Sequence, residues 1–142
     1  MMNLTRSRVA VGAALLTVTF CLFSAGSTQA QSARLTATIP FAFYTGDTVL
    51  PAGQYDVRTI GNGVIRLYNQ GTGTSIMFLT NRVSSLTDFS PRFVFNRYGE
   101  DHFLSQVWWG DGSDGNALPS PRAERELART TTPVRIAVAL RH

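Results

Sequence analysis

In "RYGEDHFLSQVWW", residues 97 to 109, Glu100 and Asp101 run directly into His102, and the stretch ends on the pair Trp108 and Trp109. A carboxylate beside an imidazole has the makings of a general acid–base pair, which needs an oriented base within hydrogen-bond reach of the proton it takes. Side chains of consecutive strand residues point to opposite faces, so adjacency alone does not bring Asp101 and His102 together. The flanking pattern makes Gly99-Glu100-Asp101 a turn between the strands "RFVFNRY" and "HFLSQVWW", with glycine supplying the turn backbone and the acids solvated. His102 then opens the second strand.

Other reactive constellations do not assemble. His142 is the second histidine, Cys21 is the one cysteine, and no His/Cys spacing of a metal site occurs. No Gly-x-Ser-x-Gly elbow is present; Ser105 lies within a strand, and nothing pairs Ser84, Ser85 or Ser90 with a histidine. "DGSDGN", Asp111 to Asn116, has acids at the first and fourth positions of a calcium-type loop, but no glutamate at the twelfth, and reads as a flexible turn. The expectation is no catalytic residue, no metal and no cofactor. The aromatics remain. Trp108 and Trp109 project to opposite faces of a continuing strand, so at least one packs in the core. An exposed one, with Tyr98 or Tyr68, would stack a sugar or cover a lipid; Tyr98, His102, Trp108 and Trp109 are the residues assigned to such a ligand. The plainer alternative is that both tryptophans fill covered faces of a sandwich strand.

Positioning these residues begins with setting the first thirty aside. Arg6 and Arg8 precede the apolar run "VAVGAALLTVTFCLFSA", and "GSTQA" supplies the small residues of a signal-peptidase site. Cleavage after Ala30 is preferred, the spacing also fits a cut after Ser27, and retention as an anchor is the alternative for a run near the ~17-residue lower limit of a membrane helix. Bulky Phe20 before Cys21 argues against a lipoprotein signal, and Ser7 interrupts the arginine pair of a twin-arginine signal. Cleavage after Ala30 leaves residues 31–142 as one domain of 112 residues, with formal charge falling from +4 to +2 and no thiol for a disulfide. No stable membrane span is expected after cleavage. The basic residues are all arginine and scattered, and with export this argues against a nucleic-acid partner.

The mature chain alternates with the two-residue period of half-buried strands. In "LTATIPFAF" the odd positions from Leu35 to Phe43 share a face, and Pro40 marks an edge strand. Gly46-Asp47 and Pro51-Ala52-Gly53 read as turns around which "QYDVRTI" alternates again. Gly61-Asn62-Gly63 and Gly71-Thr72-Gly73 bracket a strand from Val64 to about Asn69. Ser75 to Thr80 is denser in apolar residues and reads as a more buried strand. Ser84 to Pro91 and "GDGSDGNALPSP" read as loops. A short helix over about 121–129 starts from Ser120 and Pro121, carries an Arg122–Glu126 pair, and docks through Ala123 and Leu127. Val134, Ile136, Val138 and Leu140 give a final strand over about 134–140. The fold class is all-β: an antiparallel sandwich or small barrel of about seven or eight strands, with one short C-terminal helix before the last strand.

"IPFAF", "LPAGQYDV", "FNRYG", "HFLSQVW" and "PRAERELA" together resemble a group of small exported bacterial proteins of the acidobacterial type. The similarity runs from about Thr36 to Ala128. It implies export and a β-rich fold, and it implies no activity. The expected function is an exported, non-enzymatic β-domain, periplasmic or secreted, serving as a structural or protein-interaction module of the cell envelope. Its partner would be an envelope protein; the alternative is a small-ligand protein taking a lipid or glycan on its aromatic residues.

Overall fold

Apolar and polar side chains alternate through Leu35–Ile39, and in β1, which these residues form, Leu35, Ala37 and Ile39 are buried while Thr38 is exposed. The computed structural model describes residues 34–142, so the signal segment expected over 1–30, with its cleavage site, lies outside the described residues. A three-residue hairpin pair follows, β2 (Phe43–Thr45) and β3 (Thr48–Leu50), turning at Gly46 with φ +59°. Next come β4 (Gly53–Gly61), β5 (Val64–Asn69), β6 (Ser75–Leu79) and β7 (Asn81–Ser84). The chain then forms β8 (Arg92–Tyr98), β9 (Asp101–Trp108), β10 (Asp114–Ala117), the helix α1 (Arg122–Leu127) and β11 (Val134–Ala139).

These strands make two sheets. Sheet A has the order β1-β4-β5-β6, and sheet B the order β11-β8-β9-β10-β7, all antiparallel along these paths. The β2–β3 hairpin joins sheet B through one parallel pairing, Tyr44 with Phe103. The sheets do not close into a barrel; the fold is an all-β sandwich. Between them lies a continuous apolar layer in which Leu35, Phe43, Val57, Ile65, Phe93, Phe95 and Val107 have no measurable exposure. Its aromatic members meet edge to face, Phe43 against both Tyr55 and Phe95 at 5.3 Å between ring centres, the arrangement their quadrupoles favour.

One irregularity decides which side chains of β9 enter that layer. Val94 pairs with Gln106 while Phe95 pairs with Leu104, so Ser105 is the extra residue of a β-bulge. Strict alternation would place Leu104 and Val107 on opposite faces. The bulge lets both face the core, and it turns Phe103, Gln106 and Trp108 to the outer face of sheet B. Beside it β10 pairs with β9, Gly115 opposite Trp108, and Gly115 must lack a side chain: a Cβ would stand 2.6 Å from the indole Cε3.

Several sequence expectations change here. The described residues form eleven strands rather than seven or eight, because β2, β3, β7 and β10 are short or carry no apolar alternation. "GDGSDGNALPSP", read as loop, contains β10, which pairs with β7 and β9 through backbone bonds that its polar composition does not announce. Ser75–Leu79 is not the more buried strand; it is the edge of sheet A, with Ile76 and Phe78 turned inward and Met77 and Leu79 exposed. β1 is the other edge, as Pro40 foretold. The helix is shorter than 121–129, has Pro121 at its N-cap, and takes no side-chain cap from Ser120. The Arg122–Glu126 pair is present at 3.0 Å.

The docking contact of α1 also differs. Ala123 is exposed and Leu127 half-buried, while Glu124 is buried on the outer face of sheet B. Its Oε1 accepts from Asn96 Nδ2 at 2.8 Å and from the Tyr98 hydroxyl at 3.4 Å. Burial, then the Glu124 charge and hydrogen bond, push the Tyr98 phenol above its ordinary value.

Removing the acceptor would leave two donors unsatisfied beneath the helix. Glu124→Ala is therefore expected to lower unfolding stability by about 1–3 kcal/mol, read by urea denaturation. Ala123→Ser on the exposed side should stay within about 0.5 kcal/mol. Equal effects would show that Glu124 does not hold the helix.

Candidate contact surfaces

The four aromatic and imidazole residues nominated from sequence occupy separate environments. Tyr98 and Trp108 lie at opposite ends of the β8–β9 ladder on the outer face of sheet B, and both are buried. Tyr98 is beneath α1 and edges onto Phe103. Trp108 donates its indole N–H to Gln106 Oε1 at 3.1 Å and carries the Arg92 guanidinium 5.2 Å from its ring centre. His102 stacks on Phe41 with ring centres 3.9 Å apart, its Nδ1 3.1 Å from the Glu100 carbonyl oxygen. Asp101 pairs with Tyr98 in the ladder and His102 with Arg97, so the acid and the imidazole of the opening motif occupy successive rungs. The turn itself is Gly99-Glu100, with Gly99 at φ +62°, and Asp101 already belongs to β9. Among the described residues no three His, Cys, Asp or Glu side chains converge as a metal site.

Of the four, Trp109 lines an open groove. This space, about 1010 Å³, lies at one end of the sandwich between the β4–β5 turn, the β6–β7 junction and the β9–β10 loop. A hydrogen-bond chain fixes its wall. Trp109 Nε1 donates to Asn116 Oδ1 at 2.7 Å, Asn116 Nδ2 donates to Thr80 Oγ1 at 2.9 Å, and the Thr80 hydroxyl donates to the Gly63 carbonyl oxygen at 2.9 Å. Trp109 is half-buried and packs against the core, so its ring is held rigidly at the groove. Asn116 and Thr80 went unremarked in the sequence because the contact spans 36 residues, a separation that no local pattern encodes.

The second surface is the outer face of sheet A. Side chains paired across neighbouring strands share a face, and the register sets Arg58 beside Arg66 and Arg66 beside Met77, with Val64 beside Leu79. A parallel row contains Thr36, Asp56, Tyr68 and Ser75. Asp56 is buried and well partnered: Arg34 donates from Nε at 3.0 Å and from Nη2, Gln70 Nε2 at 2.6 Å, and Thr36 Oγ1 at 3.1 Å. Burial works to raise its pKa, but the hydrogen bonds from Arg34, Gln70 and Thr36, together with the Arg34 charge, outweigh it and hold the carboxyl below its ordinary value. β6 rims this face. Among the described residues it pairs with β5 on one side and with no strand on the other. An apolar groove of about 440 Å³ follows that rim, lined by Val64, Met77, Phe78, Leu79, Leu118 and Pro119 together with Gly46.

No protein-family model matches the chain, and neither the curated proteins nor the solved structures hold a significant match. No helix among the described residues is long and apolar enough to cross a membrane.

A carboxyl with a depressed folded-state pKa contributes stability that is present above its unfolded pKa and is lost as pH falls through the folded value. For Asp56 the loss should begin as pH drops toward the ordinary 3.8 and continue below it. Urea midpoints measured from neutral to acid pH are expected to fall less steeply in Asp56→Asn, which starts from a lower plateau. Parallel curves for the two proteins would show that Asp56 does not supply the acid sensitivity.

Proposed function

We propose that the chain is an exported, non-enzymatic β-sandwich that works by surface contact, as a structural or interaction module of the cell envelope. Its contact surface is the outer face of sheet A and the open edge at β6. The observation that carries this reading is the state of that edge. Met77 is 65% and Leu79 71% exposed, on a strand that has no charged residue and no proline. Solvent-facing edge strands are ordinarily guarded by charge, proline or a bulge, and an unguarded apolar edge marks a surface with a partner. The signal-like start of the sequence and the motif resemblance to small exported proteins support the envelope setting.

A second reading belongs to the end groove. Its volume reaches the upper end of the roughly 300–1,000 Å³ typical of small-molecule sites, and it presents one anchored indole among Asn62, Asn81, Arg82 and Asp111. That composition suits a glycan, with a ring on Trp109 and hydroxyls on the polar side chains.

In cells that make the protein, Met77→Asp combined with Leu79→Asp is expected to move it from the envelope pellet to the soluble fraction. The urea midpoint of the purified variant should correspond to a change of no more than about 0.5 kcal/mol, as for exposed positions. Unchanged retention would remove the face from consideration, and turnover of a defined substrate abolished by one substitution would overturn the non-enzymatic reading. For the groove, tryptophan fluorescence titrated with a glycan panel should respond in the unaltered protein and not in Trp109→Ala. Flat titrations across the panel would eliminate the second reading.

A further inference from the structure

Sheet A's outer face sets two half-buried arginines, Arg58 and Arg66, in register with two exposed apolar side chains, Met77 and Leu79, and that placement identifies what the face meets. Arg58 and Arg66 stand directly opposite one another on β4 and β5, a like-charge pairing that disfavours the sheet by itself. Neither takes part in any ion pair among the described residues. Arg66 spends its Nε on Ser75 Oγ at 2.9 Å and lies 5.8 Å from the Tyr68 ring centre, which leaves its outer nitrogens free to face solvent. The one acid on this face, Asp56, is already held by Arg34, and the sequence ahead of Arg34 contains no acid at all. Met77 continues the Arg58–Arg66 row to the rim, and Leu79 lies next to it on the same side of β6.

We infer that this face binds an anionic lipid surface, Arg58 and Arg66 taking headgroup phosphates while Met77 and Leu79 enter the acyl boundary. The inference rests on the contact-surface reading above and names its partner. Geometry separates it from the rival occupants. A partner strand added to β6 would lie three strand spacings, about 14 Å, from β4; it would cover Met77 and Leu79 but leave Arg58 without a counter-ion. A second copy joined edge to edge would bring further arginines and, on the same face, only an Asp56 already held by its own Arg34. A planar anionic surface approaching the face reaches both arginines and both apolar side chains at once. Arginine suits the position, since its stem packs along apolar surface while the guanidinium reaches the phosphate level.

Vesicles of phosphatidylcholine containing phosphatidylglycerol, compared with phosphatidylcholine alone, provide the test, using the full chain and co-sedimentation. Binding is expected to the anionic vesicles and to weaken as salt is raised. A basic residue near an anionic membrane is worth about fivefold in affinity, so Arg58→Gln with Arg66→Gln should weaken binding about 25-fold. Arg97→Gln, an exposed arginine on sheet B, should leave it unchanged. Equal binding to both vesicle types, or full binding by the double variant, overturns the inference. So does displacement of the protein from anionic vesicles by polyglutamate acting through Arg58 and Arg66, which would assign the face to an acidic polypeptide. If Met77 and Leu79 prove necessary for envelope retention while anionic vesicles fail to bind, the lipid assignment falls and the contact surface stands. If retention ignores both residues, the surface itself falls.

Discussion

Every feature of this sandwich depends on the apolar layer that the two sheets enclose. No described residue is a cysteine, so no disulfide constrains the unfolded chain of this domain, and cohesion comes from side chains such as Phe43, Phe93 and Phe95 leaving water. Each large side chain fully withdrawn contributes about 1.5–3 kcal/mol against its exposed state, and most of that offsets chain entropy. The margin left is small, which is why the Ser105 bulge matters. It keeps Leu104 and Val107 in the layer together, and in doing so sends Phe103 and Trp108 outward. Those two then need cover of their own: Tyr44 stacks on Phe103 at 4.7 Å, and Arg92 and the bare Gly115 lie against Trp108. The outer face of sheet B is consequently a second, smaller interior, closed by α1 over Tyr98 and by the Trp108 ring lying over Gly115.

Sheet A has no such cover. Its outer side carries an ordered polar cluster around Asp56, a pair of opposed arginines and an apolar rim, and the contrast between the two sheets is the most informative asymmetry in the molecule. One sheet spends its outer face on internal packing. The other sets two half-buried guanidinium groups in register with exposed thioether and isobutyl side chains, an arrangement that folding alone does not require.

Much of the framework was legible in the sequence. Alternation located β1, β4, β5, β8 and β11, and glycine pairs located the turns around β5, because both signals act over a few residues. β7 and β10 were not legible, since Asn81–Ser84 becomes a strand by pairing with Asp114–Ala117 across the chain, and that segment by pairing with β7 and β9. Ser75–Leu79 was misjudged for a different reason: apolar density records what a strand would bury if covered, and says nothing about whether it lies at the centre or the edge. The helix misled through its charge. A glutamate ordinarily marks the solvated side, and Glu124 points inward because Asn96 and Tyr98, far away in sequence, supply its donors. Of the nominated ligand residues, Trp109 reached an open groove; Tyr98 and Trp108 became packing elements, and neither Arg58 nor Arg66 stood out, since scattered arginines acquire meaning only once a register aligns them.

Thr80 joins these surfaces in an unexpected way. It is the single residue between β6 and β7, so the chain leaves the rim of one sheet and enters the rim of the other across one residue. The same residue takes the Asn116 amide and gives its hydroxyl proton to Gly63. The exposed rim of sheet A and the hydrogen-bond chain that holds the Trp109 indole therefore meet at a single threonine, one backbone step from Leu79.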